Sequence, residues 1–199
     1  RIVFDELEAK PIPGTAGARN PFFSPDGQWV AFWQNFKLRK LALSGGAPVA
    51  ICDLEVMGGS HWAPDGMIFF GGFTMRGILR VPAVGGTPSF VTEVRVEKGE
   101  RDHRLPQVLP GGKAVLFTFA PEDVDSYDDG RIAVQSLETG ERKILIEGGA
   151  GARYSPTGHI LYRRQPTNAG IWALPFSLSR HEVTGEPFLV APDGDVPSV

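Results

Sequence analysis

One tetrad of residues, Ser24-Pro25-Asp26-Gly27, constrains this chain more than any other feature, because the chain repeats it. Apolar residues run into it (Phe22-Phe23) and out of it (Trp29-Val30-Ala31-Phe32). Pro at the second position and Gly at the fourth suit a type I turn followed by a residue at positive φ, and apolar runs on both sides make that turn a β-hairpin. Ala63-Pro64-Asp65-Gly66, Leu109-Pro110-Gly111-Gly112 and Ser155-Pro156-Thr157-Gly158 are further copies. Measured at the third residue of each turn, the intervals are 39, 46 and 46 residues. Self-similarity at about 40–50 residues is the signature of a radial array of small sheets.

A second hairpin signal follows the first in matching order: Ser44-Gly45-Gly46-Ala47-Pro48, Val84-Gly85-Gly86-Thr87-Pro88 and Glu138-Thr139-Gly140-Glu141. Each repeat therefore predicts four antiparallel strands. Within the second strands, Val30/Phe32, Ile68/Phe70, Val115/Phe117 and Ile160/Tyr162 fall at period two, as half-buried strands require. No amphipathic helix of useful length is evident. The expected fold is all-β, a β-propeller with about four complete blades plus a partial one. Blades are expected over 18–57, 58–98, 99–148 and 149–191, with 1–17 the end of a preceding blade and 192–199 the start of a next unit or a tail. In the fourth repeat, Ser177–Glu182 lengthens the second hairpin.

Composition narrows the function classes. With 42% hydrophobic residues, 22% charged residues and a net charge of −3, the chain is that of a folded protein and lacks the clustered Lys and Arg of a nucleic-acid footprint. The single cysteine, Cys52, excludes an intrachain disulfide, and its strand-like neighbours predict a buried thiol. No apolar run is long enough to span a bilayer. The chain opens on Arg1, with no signal peptide, so either its start has been removed or it is an excised segment.

Catalytic templates are missing. Gly58-Gly59-Ser60-His61-Trp62 lacks the closing glycine of a nucleophile elbow. His181-Glu182 lacks the second histidine of a zinc protease, and no phosphate-cradling or kinase motif is present. No cofactor is expected. The acidic stretch with Glu122, Asp123, Asp125, Asp128 and Asp129 offers oxygen ligands for Ca²⁺, but its spacing is not that of an EF-hand, and a solvated insertion loop is the expectation. Where the innermost strands begin, the register places Arg19, Asn20, His61, His103, Arg104 and Arg153 at the mouth of a central channel. Such a ring suits an anionic ligand or an acidic peptide; the alternative is arginines that satisfy nearby carbonyls or carboxylates, and histidines that cap structure. Trp29, Trp33, Trp62 and Trp172 are expected in core or inter-blade packing.

The motif Phe22–Phe32, its copies and the Gly-Gly-x-Pro hairpins resemble the TolB-like, WD-repeat-like β-propeller family over nearly the whole chain. Gly99–Phe117 together with Leu137–Arg142 resembles propellers that follow bacterial serine/threonine protein kinases. The resemblance implies a bacterial protein with a closed ring of six or so blades, of which this chain supplies about four. A fragment of a larger propeller, or one completed by another copy through open blade edges, is expected, with a closed four-bladed ring as the alternative. It further implies a non-catalytic sensor or scaffold that binds a protein, a peptide or a small anion. The rival is a propeller enzyme, lactonase- or lyase-like, or the gating propeller of a prolyl-oligopeptidase-like hydrolase. The compartment, extracytoplasmic or cytoplasmic, is left open.

Overall fold

The tight turns form as the tetrads dictate. In a computed structural model, which describes residues 11–72, 74–122, 129–165 and 168–192, the fourth residue of each tetrad donates its N–H to the first: Gly27 to Ser24 (2.9 Å), Gly66 to Ala63 (3.0 Å), Gly112 to Leu109 (3.0 Å) and Gly158 to Ser155 (3.0 Å). All four glycines have positive φ, between 66° and 83°, a conformation that a Cβ would strain.

These turns link the first two strands of four antiparallel sheets. The first sheet is β1 (Arg19–Phe23), β2 (Trp29–Gln34), β3 (Lys37–Ala42) and β4 (Val49–Asp53). The second is β5 (Ser60–Trp62), β6 (Met67–Phe70), β7 (Leu79–Pro82) and β8 (Ser89–Phe90). After a short 3-10 turn at Val96–Lys98 comes the third: β9 (Glu100–Val108), β10 (Ala114–Pro121), β11 (Arg131–Ser136) and β12 (Arg142–Glu147). The fourth holds β13 (Ala150–Ser155), β14 (His159–Arg164), β15 (Gly170–Ser177), β16 (Glu182–Val183) and β17 (Phe188–Ala191), with both β16 and β17 paired to β15. The extra strand arises where the sequence predicts only a lengthened hairpin. β9 begins at Glu100, ahead of the apolar residues that lead into the turn, because polar residues Glu100–Arg104 are held in strand form by an internal network described below.

The first strand of each sheet lies innermost, with β5 packed against β1 and β9, and β9 against β13. Second-strand side chains alternate between the sheets on either side. Ile68 and Phe70 face the first blade, and Phe69 faces the third. Val115 and Phe117 face the second blade, whereas Leu116 joins Ile160 and Tyr162 between the third and fourth. β10 is therefore not half-buried, since all eight of its residues are buried, whereas β14 keeps the expected alternation with Ile160 and Tyr162 buried. Packing on both faces is what stacking blades demands, and truncating a ring such as Phe117 to Ala costs about 3–5 kcal/mol.

Of the segment 1–17, residues 11–17 form turns rather than a strand. Ile12 and Ala18 cover Val30, Phe32 and Leu41 on the first blade, and Gln34 Nε2 donates to the carbonyls of Gly14 (3.0 Å) and Ala16 (2.9 Å). No helix of the described residues is long and apolar enough to cross a membrane.

Candidate functional site

Aligning the four inner strands on the turn proline exposes a shared backbone device. Five residues before Pro25, Pro64, Pro110 and Pro156 stand Asn20, Gly59, Leu105 and Gly151, all at positive φ (51°, 111°, 53° and 68°). In β1, β9 and β13 this residue sits in a register shift, so each of those inner strands bulges near its start. The bulges tie the blades together. Asn20 Nδ2 donates to Met57 O (3.0 Å), Leu105 N to Gly58 O (3.1 Å), and Gly151 N to Thr118 Oγ1 (3.2 Å). A Cβ on Gly59 would stand 2.9 Å from Leu105 Cα, so the bulges of neighbouring blades touch.

Two residues beyond each bulge come Phe22, His61, Gln107 and Arg153. In two blades this side chain reaches the next inner strand: Phe22 meets Trp62 edge-on at 6.4 Å, and Gln107 Oε1 accepts from Tyr154 N (2.7 Å). Arg153, on β13, reaches the third blade instead. Its Nη1 donates to Leu105 O (3.3 Å) and Ala152 O (3.0 Å), and among the described residues no carboxylate pairs with it. Burial lowers its pKa. His61 is half-buried, and neither ring nitrogen bonds to a described residue. Burial, reinforced by the Arg153 charge and opposed by Asp65, pushes its pKa down to about 4. A neutral imidazole and a desolvated guanidinium thus share one region.

The other residues expected at the channel mouth have different surroundings. Arg19 is exposed on β1, as is Asn20. Arg104 is buried and forms a forked ion pair with Asp102 (Nε–Oδ1 2.8 Å, Nη2–Oδ2 2.9 Å). Burial works against both charges, raising Asp102 and lowering Arg104 to about 10. His103 has no exposed surface and lies in the core between the second and third blades, its ring 4.7 Å from that of Phe117.

His103 belongs to a buried network that sequence reasoning missed. Ile78 N–H donates to Thr92 Oγ1 (2.8 Å), which leaves the Thr92 hydroxyl to donate to His103 Nδ1 (2.7 Å) and His103 Nε2–H to donate to Glu100 (3.1 Å). This pattern assigns a neutral imidazole, in keeping with a pKa lowered mainly by burial. Arg142 clamps Glu100 through Nη1 (2.8 and 2.9 Å), donates from Nη2 to Glu93 O (3.0 Å) and from Nε to Gln135 Oε1 (3.0 Å). Burial opposes the Glu100 charge, yet these donors together hold its carboxyl down to about 2. With every member engaged, this is a structural clasp between blades. Gln107 was missed as well, although counting back from the turn proline would have found it.

In the acidic loop, Asp123, Asp125 and Asp128 lie outside the described residues, while Glu122 and Asp129 are exposed. No three described His, Cys, Asp or Glu residues stand together as a metal site. Cys52 is half-buried rather than buried, and burial pushes its thiol up to about 11, far from a nucleophile.

No protein-family model and no curated protein sequence matches the chain. Its fold does match solved structures. It is similar to a candidate TolB from Agrobacterium tumefaciens (TM-score 0.63, 20% identity, covering 79% of this chain and 58% of that one). It is similar also to a calcium-binding regucalcin from the same species (0.64, 16%, 86% and 58%) and to a gluconolactonase from Xanthomonas campestris (0.68, 14%, 89% and 64%). The chain thus spans less than two thirds of each of these proteins, and four four-stranded sheets with these neighbours make it a β-propeller fold.

Proposed function

We propose that this chain is a non-catalytic binding module of a larger propeller, whose channel side receives an anionic group from a protein, a peptide or a small ligand. The observation that carries the reading is Arg153, a desolvated guanidinium that only carbonyl oxygens hold among the described residues. A guanidinium so placed has donors left for a carboxylate or phosphate. His61 adds an uncharged donor and acceptor beside it, and Arg19 and Asn20 stand exposed on the first inner strand. His103 and Arg104 serve this site as its frame. The resemblance to propellers that follow bacterial serine/threonine kinases supports a sensor or scaffold role.

Titrating the protein calorimetrically with acidic peptides and small polycarboxylates tests this. At least one binds, and Arg153→Gln weakens it by about 10-fold or more, the worth of a charge-assisted hydrogen bond. Absence of binding throughout, or binding indifferent to the substitution, contradicts the reading. The likeness to a gluconolactonase favours a second reading, a propeller hydrolase of lactones. Turnover of gluconolactone by the purified protein, with or without added divalent metal, would put that reading in place of the first.

A further inference from the structure

At the far end of the inner strands, away from the bulges, the turns of the first two blades flank an open pocket of about 400 Å³. The indoles of Trp29 and Trp62 and the thioether of Met67 line it, and Asp26 and Asp65 stand in its wall. No Lys or Arg side chain lines it. Each aspartate commits one oxygen to its turn: Asp26 Oδ1 accepts from Ser24 Oγ (2.5 Å) and Gln28 N (3.0 Å), and Asp65 Oδ1 accepts from Met67 N (3.0 Å). Among the described residues neither forms an ion pair, so both Oδ2 atoms remain for a ligand. The Ser24 hydroxyl holds the Asp26 carboxyl below its ordinary range, which keeps it ionised. The Trp29 ring already attracts a cation of this chain, with Lys40 Nζ 4.6 Å from its centroid.

From this arrangement we infer a second binding site, independent of the channel, in which the pocket between the first two turns takes an arginine side chain from a partner protein. Flat aromatic walls match a planar guanidinium, which stacks on indoles, and two carboxylate oxygens match its fork of donors. The apolar stem of the side chain meets Met67 and the exposed Val84. The equivalent aspartate positions in the third and fourth turns are Gly111 and Thr157, so the other junctions between the described blades lack paired carboxylates.

The test uses the full protein and two capped tripeptides, Gly-Arg-Gly and its uncharged isostere Gly-citrulline-Gly, followed through the indole N–H resonances of the tryptophans. The arginine peptide shifts the Trp29 and Trp62 signals, with a dissociation constant on the order of 1 mM. The citrulline peptide does not. Asp26→Asn with Asp65→Asn keeps the Oδ1 acceptors that the turns need, and weakens binding by about 3- to 10-fold. A thermal melt matching wild type verifies that the double variant is folded. Unmoved indole signals, equal response to both peptides, or undiminished binding by the folded double variant would each overturn the assignment.

Discussion

Single side chains mark where this fold is strained and where it is slack. Gly59 carries the largest positive φ of the four bulge residues, 111°, and a Cβ there would meet the backbone of Leu105. Neither side can yield cheaply, so Gly59→Ala is expected to cost about 2–4 kcal/mol, read as a lowered urea midpoint. Tyr162 is the opposite case. It is fully buried between the third and fourth blades, and among the described residues its hydroxyl has no partner. Tyr162→Phe removes an unsatisfied polar atom and leaves the ring packing intact, so stability should hold or rise by up to about 1 kcal/mol. The turn glycines were legible in the sequence because Pro and Gly encode backbone angles locally. The bulges were not, since Asn, Gly and Leu at one position share no chemical signature. What unites them is contact with the next blade.

At the scale of strands, the polar start of β9 is the clearest departure from the hydrophobic pattern. His103 and Arg104 read as funnel lining from register alone, yet both are buried in the wall, as are their neighbours Glu100 and Asp102. Alternation tells which residues share a face of a strand, but not whether that face meets water or a neighbouring blade. The partners that decide it, Thr92, Gln135 and Arg142, lie on other strands or loops. Removing the clamp tests the clasp: Arg142→Ala leaves Glu100 buried without its counter-charge and should destabilise by about 3–5 kcal/mol. Equilibrium unfolding measures this directly. Arg142→Ala combined with Glu100→Gln should recover part of the loss, because the stranded charge goes with it.

For the whole molecule, the blade junctions make acid the natural denaturant. His61 and His103 have folded pKa values below the ordinary histidine value, so the unfolded chain binds more protons as pH falls below about 6.5. Their stabilisation is complete above that value and drains away toward about 4 for His61. Glu100, held down to about 2, adds a loss that begins as pH falls through the ordinary carboxyl range. Asp102, raised by burial, has the opposite sign. The net expectation is a urea midpoint that falls steadily from pH 7 to pH 4, with a shallower fall in His61→Gln. Equivalent positions also differ from blade to blade. Phe23 is 63% exposed, while its counterpart Trp62 is 8% exposed beneath the preceding blade. Repetition in the sequence made the blades legible. It said nothing of which side chain at an equivalent position is covered by a neighbouring blade.

Titration of His61 by NMR tests most directly the proposed desolvated site that Arg153 and His61 form for an anion. In the wild-type protein the imidazole should titrate near 4, because burial and the Arg153 charge both disfavour its protonation. Arg153→Gln removes one of those causes, so the pKa should rise; an acidic ligand bound at Arg153 should raise it too. A His61 that titrates near the ordinary 6.5, unmoved by the substitution or by any acidic ligand, would contradict the account.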